Sequence, residues 1–146
     1  LDTDSHLSAF AAADGKKLWT TDVSDPKEKD NAIGGGVAYS RGQLYVTNGY
    51  NEVLSLAPDS GKILWRARIP TPSRAAPTVV EGRLFVLTMD NRLIALSTAD
   101  GGNLWQYAGL SEMTGLVGAA SPAASRDVVV AAFSSGEIAA LRFENG

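Results

Sequence analysis

The chain has no cysteine, which excludes disulfide staples, thiolate metal ligands and cysteine nucleophiles. An oxidising compartment is compatible with that absence but not required by it. Histidine is nearly absent too. His6 stands alone, so it has no second His or Cys with which to build a metal site. It reads as an ordinary residue at a surface or sheet edge, and the serines have no dedicated imidazole base for nucleophilic catalysis. No apolar run approaches the roughly 20 residues of a membrane-spanning helix, and no segment carries a 3.6-residue apolar period. Charge of one sign is scarce as well. A net charge of −3 gives neither a basic footprint for nucleic acid nor a polybasic membrane anchor. What remains, at 45% apolar and 20% charged over 146 residues, is the composition of one globular domain.

The most informative feature present is a repeated phrase. Gly15-Lys16-Lys17-Leu18-Trp19 returns as Gly61-Lys62-Ile63-Leu64-Trp65 and as Gly101-Gly102-Asn103-Leu104-Trp105, with the tryptophans 46 and then 40 residues apart. A period near 40 is that of a repeat architecture. The repeat extends upstream. Val53-Leu54-Ser55-Leu56, Leu93-Ile94-Ala95-Leu96 and Ile138-Ala139-Ala140-Leu141 each precede a glycine by five residues: Gly61, Gly101 and Gly146. Before them lie Leu44-Tyr45-Val46, Leu84-Phe85-Val86 and Val128-Val129-Val130, and earlier still Val37-Ala38, Pro77-Thr78 and Pro122-Ala123. The first copy begins within the unit, at His6. The natural start is therefore expected upstream, and the lack of a leader says nothing about secretion.

Each full unit holds four short runs of strand-forming residues. In the clearest copy they are 76–81, 83–89, 92–97 and 103–107, separated by tight joints such as Glu81-Gly82 and Asp90-Asn91. Short joints make successive strands antiparallel neighbours, giving a four-stranded meander. Runs such as Leu84 to Leu87 and Val128 to Ala132 are apolar without alternation, so both faces of these sheets are expected to be covered. Meanders repeating at this period and covered on both faces predict an all-β fold, a partial β-propeller of about three to four blades. The blades fall at 1–23 (half), 34–69, 74–109 and 118–146 (incomplete). Gly15, Gly61 and Gly101 are assigned to turns, and Trp19, Trp65 and Trp105 to the seams between blades. Asp14, Asp59 and Asp100 recur beside those glycines, as turn residues do. An open fan of this kind exposes blade faces and edges, which predicts self-association.

The Gly-x-x-x-Trp phrase resembles the repeat of pyrroloquinoline-quinone-type propellers, a group that includes quinoprotein alcohol dehydrogenases and the BamB family of outer-membrane assembly lipoproteins. Gly34-Gly35-Gly36-Val37, Arg74-Ala75-Ala76-Pro77-Thr78-Val79 and Gly118-Ala119-Ala120-Ser121-Pro122 follow the order seen in the BamB family, and the likeness covers the whole chain. The resemblance implies an eight-bladed parent, lipid-anchored on the periplasmic side of the outer membrane. It also implies no catalytic residue, no metal and no cofactor. The implied role is a non-enzymatic scaffold that docks BamA through inter-blade loops, with strands of unfolded outer-membrane proteins as a further partner. The alternative is a fragment of a quinone-dependent dehydrogenase. Against it, the inner strands offer Gly35, Gly36, Ala38, Ala76, Ala120 and Ala123, which fill a crowded ring centre and do not clamp a charged quinone.

Two connections break the period, and insertions in repeat proteins tend to gather on one binding face. Ser24 to Asp30 is charged with both signs and reads as a solvated loop. Leu110 to Gly118 carries Leu110, Met113, Leu116 and Val117, apolar residues in a surface segment that either fold back over a seam or bind a partner. The family resemblance implies BamA binding here through a leucine-rich stretch ending in arginine, matched by Thr114 to Val117. Leu116 keeps a leucine, and Val117 stands where the arginine is expected. Arg74, in the neighbouring connection, is the candidate to supply that guanidinium.

Overall fold

A computed structural model describes residues 1–28, 32–110 and 120–146. The described residues contain thirteen strands and no helix. The first sheet pairs β1 (His6–Phe10) with β2 (Lys17–Asp22). The second runs in chain order through β3 (Gly36–Ser40), β4 (Gln43–Thr47), β5 (Glu52–Leu56) and β6 (Ile63–Arg68). The third does the same with β7 (Thr78–Val80), β8 (Arg83–Leu87), β9 (Arg92–Ser97) and β10 (Asn103–Ala108). The last holds β11 (Ala123–Ala124), β12 (Val128–Ala132) and β13 (Ile138–Arg142). All pairings are antiparallel. The inner strands β3, β7 and β11 touch in succession. The fold is a partial β-propeller.

Its core lies in the seams between sheets. Along β8, Leu84 and Val86 face the second sheet, packing with Tyr45, Val53 and Ile69. Phe85 and Leu87 face the last sheet, packing with Val129, Ala131 and Phe133. Two-sided burial explains why the run 84–87 does not alternate with polar residues. The seam of the first two sheets holds Leu7, Val23, Val46, Leu54 and Leu56. In β12 the structure departs from the expectation of two covered faces. Val129 and Ala131 are buried, but Val128 and Ala132 are exposed, because a neighbouring sheet lies on one side only among the described residues.

The repeated phrase is the device that joins one sheet to the next. Each indole donates its N–H to a carbonyl of the following sheet: Trp19 to Pro58 at 2.8 Å, Trp65 to Thr98 at 3.1 Å and Trp105 to Phe143 at 3.2 Å. Each ring lies over the repeat glycine of that next sheet. A Cβ on Gly61 would meet Trp19 at 2.5 Å, and one on Gly101 would meet Trp65 at 2.9 Å. These glycines also have φ of +69° and +76°. The leucine before each tryptophan has a separate role. The registers pass from Phe10–Lys17 to Ala9–Trp19, from Leu56–Ile63 to Ser55–Trp65 and from Leu96–Asn103 to Ala95–Trp105. Leu18, Leu64 and Leu104 are therefore the extra residues of β-bulges, which turn them outward into solvent.

Candidate partner-docking face

The connections between sheets and the β4–β5, β8–β9 and β12–β13 turns emerge on one side of the propeller. Their corners are built alike. Asp2, Asn48 and Thr88 each accept the backbone N–H four residues on, at His6, Glu52 and Arg92, over 2.8, 3.0 and 3.2 Å. At the positive-φ residues Ser5, Asn51 and Asn91, the backbone carbonyl accepts the N–H of the first residue leaving the outer strand: Val23, Ile69 and Gly109. Each corner thereby clamps the root of the connection that follows. The sequence carried this signal only as polar residues at equivalent turn positions.

The root of the third connection is held from two sheets. The Leu110 N–H donates to Glu137 over 2.9 Å, and its carbonyl accepts from Asn91 Nδ2 over 2.9 Å. Glu137 belongs to the last sheet and also accepts from the Tyr107 hydroxyl at 2.9 Å. That bond, with burial, raises the Tyr107 hydroxyl above its ordinary pKa. Asn91 is buried, and its Oδ1 accepts from the backbone and hydroxyl of Ser134. With its backbone pinned on both sides, Leu110 stands 67% exposed. Met113, Leu116 and Val117 lie outside the described residues.

The first connection is anchored rather than free at its root, contrary to its reading as a solvated loop. The Asp25 side chain is 3% exposed and pairs with Arg68 at 2.5 Å. The Lys27 N–H, and then Arg68 working against burial, hold the Asp25 carboxyl below its ordinary pKa. Beside this pair, Arg66 joins the buried Glu52 at 2.8 Å and donates to the Ser24 carbonyl. Further along, Ala32 receives the Ser5 hydroxyl on its carbonyl and gives its N–H to the Tyr50 hydroxyl.

Arg74 donates to the Ile33 carbonyl, so the structure turns its guanidinium toward the first connection. Asp90, at the next corner, accepts from Thr71, Thr88 and Arg92 at 2.6, 2.6 and 2.8 Å. Burial pushes its carboxyl up, and these three donors more than offset that, leaving it below its ordinary pKa. The residues assigned to the repeat phrase, Gly15, Gly61, Gly101 and the three tryptophans, sit in turns and seams away from this face.

The described inner-strand residues do not fit a quinone with a divalent cation. Gly36, Val37, Ala38, Thr78 and Ala123 supply no carboxylate, and no cluster of metal-ligating side chains occurs among the described residues. Four-stranded meanders joined by Gly–Trp seams define this chain as a propeller of the pyrroloquinoline-quinone repeat type. Comparison with known proteins narrows that class. The family profile described as "Outer membrane protein assembly factor BamB" matches residues 3–146, and the chain belongs to that family. A Rickettsia conorii protein, described as uncharacterised, is 34% identical over 100% of this chain and 35% of its own length. The crystal structure of BamB from Moraxella catarrhalis superposes with a TM-score of 0.86 at 21% identity, over 100% of this chain and 43% of that one. A quinohemoprotein alcohol dehydrogenase from Pseudomonas putida shares the fold at a TM-score of 0.73 and 16% identity, over 99% of this chain and 31% of that one. The chain spans about a third of the length of the curated relatives it matches.

Proposed function

We propose that this chain forms part of a non-enzymatic scaffold for assembling outer-membrane β-barrel proteins. It acts on the periplasmic side of the outer membrane and docks a BamA-like partner through its inter-blade connections. Family membership supports the assembly role. The observation that carries the docking mode is Leu110, an exposed apolar side chain whose backbone is pinned by two successive sheets. Exposed apolar residues on a fixed backbone lose little entropy on binding and so contribute well to affinity. Leu116, Met113 and Val117 of the same connection are proposed to complete the contact.

The test is binding of the protein to the purified periplasmic region of BamA by calorimetry. Leu116→Asp and Leu110→Asp are expected to weaken binding at least tenfold with the melting temperature unchanged. Undiminished binding by both variants would refute docking through this connection. A second reading, a quinone-dependent propeller, is favoured only by the shared fold. A thermal shift on adding the quinone with Ca²⁺ would support it, and none is expected.

A further inference from the structure

The β4–β5 corner contains a chemically labile pair, Asn48-Gly49. An asparagine followed by glycine deamidates readily, because no Cβ hinders approach of the glycine nitrogen to the asparagine side-chain carbon. Contacts in the fold fix both residues. Asn48 is 1% exposed. Its Nδ2 donates to the Val23 carbonyl at 2.8 Å and to Glu52 Oε2 at 3.1 Å. Its Oδ1 accepts from the Tyr50 and Glu52 N–H groups at 3.1 and 3.0 Å. Gly49 lies under the end of the first connection, where an added Cβ would meet the Ala32 Cβ at 2.6 Å and the Ile33 carbonyl at 2.7 Å. Ala32 is held over it by the Tyr50 hydroxyl on its N–H and by the Ser5 hydroxyl on its carbonyl. The first connection therefore covers the pair that its own root depends on.

The corner is built for a neutral amide at this place. The equivalent positions set Asp2 against His6 and Thr88 against Arg92, whereas Asn48 meets Glu52, whose side chain is 7% exposed. A carboxylate at position 48 loses both donors and stands beside a second buried carboxylate, where like charges repel. Arg66 already serves Glu52 and the Ser24 carbonyl. We propose that Asn48 is a site of spontaneous deamidation gated by the first connection, and that its conversion releases that connection irreversibly. The Gly49 nitrogen, losing its proton, bonds to Asn48 Cγ, and the Cγ–Nδ2 bond breaks to release ammonia. Water then opens the succinimide to aspartate or, by attack at the backbone carbonyl, to isoaspartate with a longer main chain. The net change is water taken up and ammonia lost. The Gly49 N–H has no hydrogen-bond partner among the described residues, so protection rests on the Asn48 side chain and its cover. Attack makes the planar Cγ tetrahedral and breaks the four bonds of the amide, so the reaction proceeds from an opened corner.

Conversion is followed by peptide mapping with isoaspartate detection during warm incubation at mildly alkaline pH. The folded protein is expected to convert at Asn48 at least about tenfold more slowly than the same protein in urea. Tyr50→Phe leaves Asn48 and Gly49 in place and removes one bond from Ala32. When folded it is expected to convert about fivefold faster than the unmutated protein, the worth of one hydrogen bond. Asn145-Gly146, whose asparagine is exposed, is the reference and should be unaffected by that substitution. Asn48→Asp is expected to open residues 24–28 to protease while the third sheet stays resistant. Equal rates in the folded protein and in urea overturn the gating, and no conversion in urea overturns the site. An unchanged rate in Tyr50→Phe overturns the first connection as the cover. Should Asn48→Asp fail to fold, the converted fraction of the unmutated protein, separated by charge, gives the same protease readout. Residues 24–28 as resistant after conversion as before it overturn the release.

Discussion

Single residues in this fold are best judged against their counterparts one repeat away. Ser55 on β5 is fully buried, and its hydroxyl has no hydrogen-bond partner. Its equivalent in the third sheet is Ala95, which is also fully buried and presents only a methyl group at the same place in its seam. A buried hydroxyl without a partner keeps its desolvation cost. Ser55→Ala is therefore expected to stabilise the protein by about 1 kcal/mol, read as a higher midpoint in urea with an unchanged slope. The repeat glycines make the opposite case. Gly15 and Gly61 share a left-handed backbone, at φ +71° and +69°, yet an added Cβ meets nothing within 4 Å at Gly15 and meets the Trp19 ring at 2.5 Å at Gly61. Gly15→Ala should cost only the backbone penalty, about 1 kcal/mol. Gly61→Ala adds overpacking against the indole and should cost about 3 kcal/mol. Equal losses in the two variants would show that the close approach of the tryptophan contributes nothing.

At the level of strands and connections, the Asp25–Arg68 pair fixes where the first connection leaves β2. Its pH dependence has a definite sign. The Asp25 carboxyl is depressed in the folded protein, so the stabilisation it gives is fully present above the ordinary aspartate value of about 3.9. That stabilisation disappears as the pH falls through the lower, folded value. Carboxyl NMR is expected to show Asp25 titrating below its free value, and the same acid range should open residues 24–28 to pepsin before the sheets unfold. In Asp25→Asn the segment should be open already at higher pH. Titration of Asp25 at its free value would show that neither the Lys27 N–H nor the Arg68 pair holds the loop through this carboxylate. The strands themselves were legible in the sequence. Apolar runs of 4–7 residues with Gly and Asn at the joints gave the meander, since hairpin turns need positive φ and few residues tolerate it. The anchoring was not legible. Asp25, Glu137 and Asn91 look like ordinary surface polar residues until folding places their partners, 19 to 43 residues distant in the chain, against them. The bulges were hidden for a related reason. Leu18, Leu64 and Leu104 look like core residues by type, and only the strand register shows that each is the extra residue turned outward.

The described sheets are held together by three seams, and the two outermost sheets differ from those between them. Each interior seam is closed by residues from both neighbouring sheets, as where Val53 and Leu93 are fully buried. Their equivalent in the last sheet is Ile138, which is 72% exposed. At the other end Tyr39 on β3 is 66% exposed, while its equivalent Val79 packs into the seam of the second and third sheets. The difference arises because the first sheet has only the two strands β1 and β2, which leave the inner part of the second sheet uncovered. A polypeptide of these 146 residues thus presents one apolar sheet face at each end. The two faces belong to opposite sides of the repeat, so one can pack against the other from a second copy, head to tail, as successive sheets do inside the chain. Association of this kind is heterologous and should show no single sharp dimer. Light scattering is expected to give a mass that rises continuously with concentration. Ile138→Lys and Tyr39→Lys each place a charge on one of the two faces, and either should return the polypeptide to a monomer, because blocking one end breaks every head-to-tail contact. Ile33→Asp lies on the connection face and should leave this association unchanged. A monomeric mass for the unmutated polypeptide at the highest concentrations would mean that the exposed ends are too small or too curved to pair.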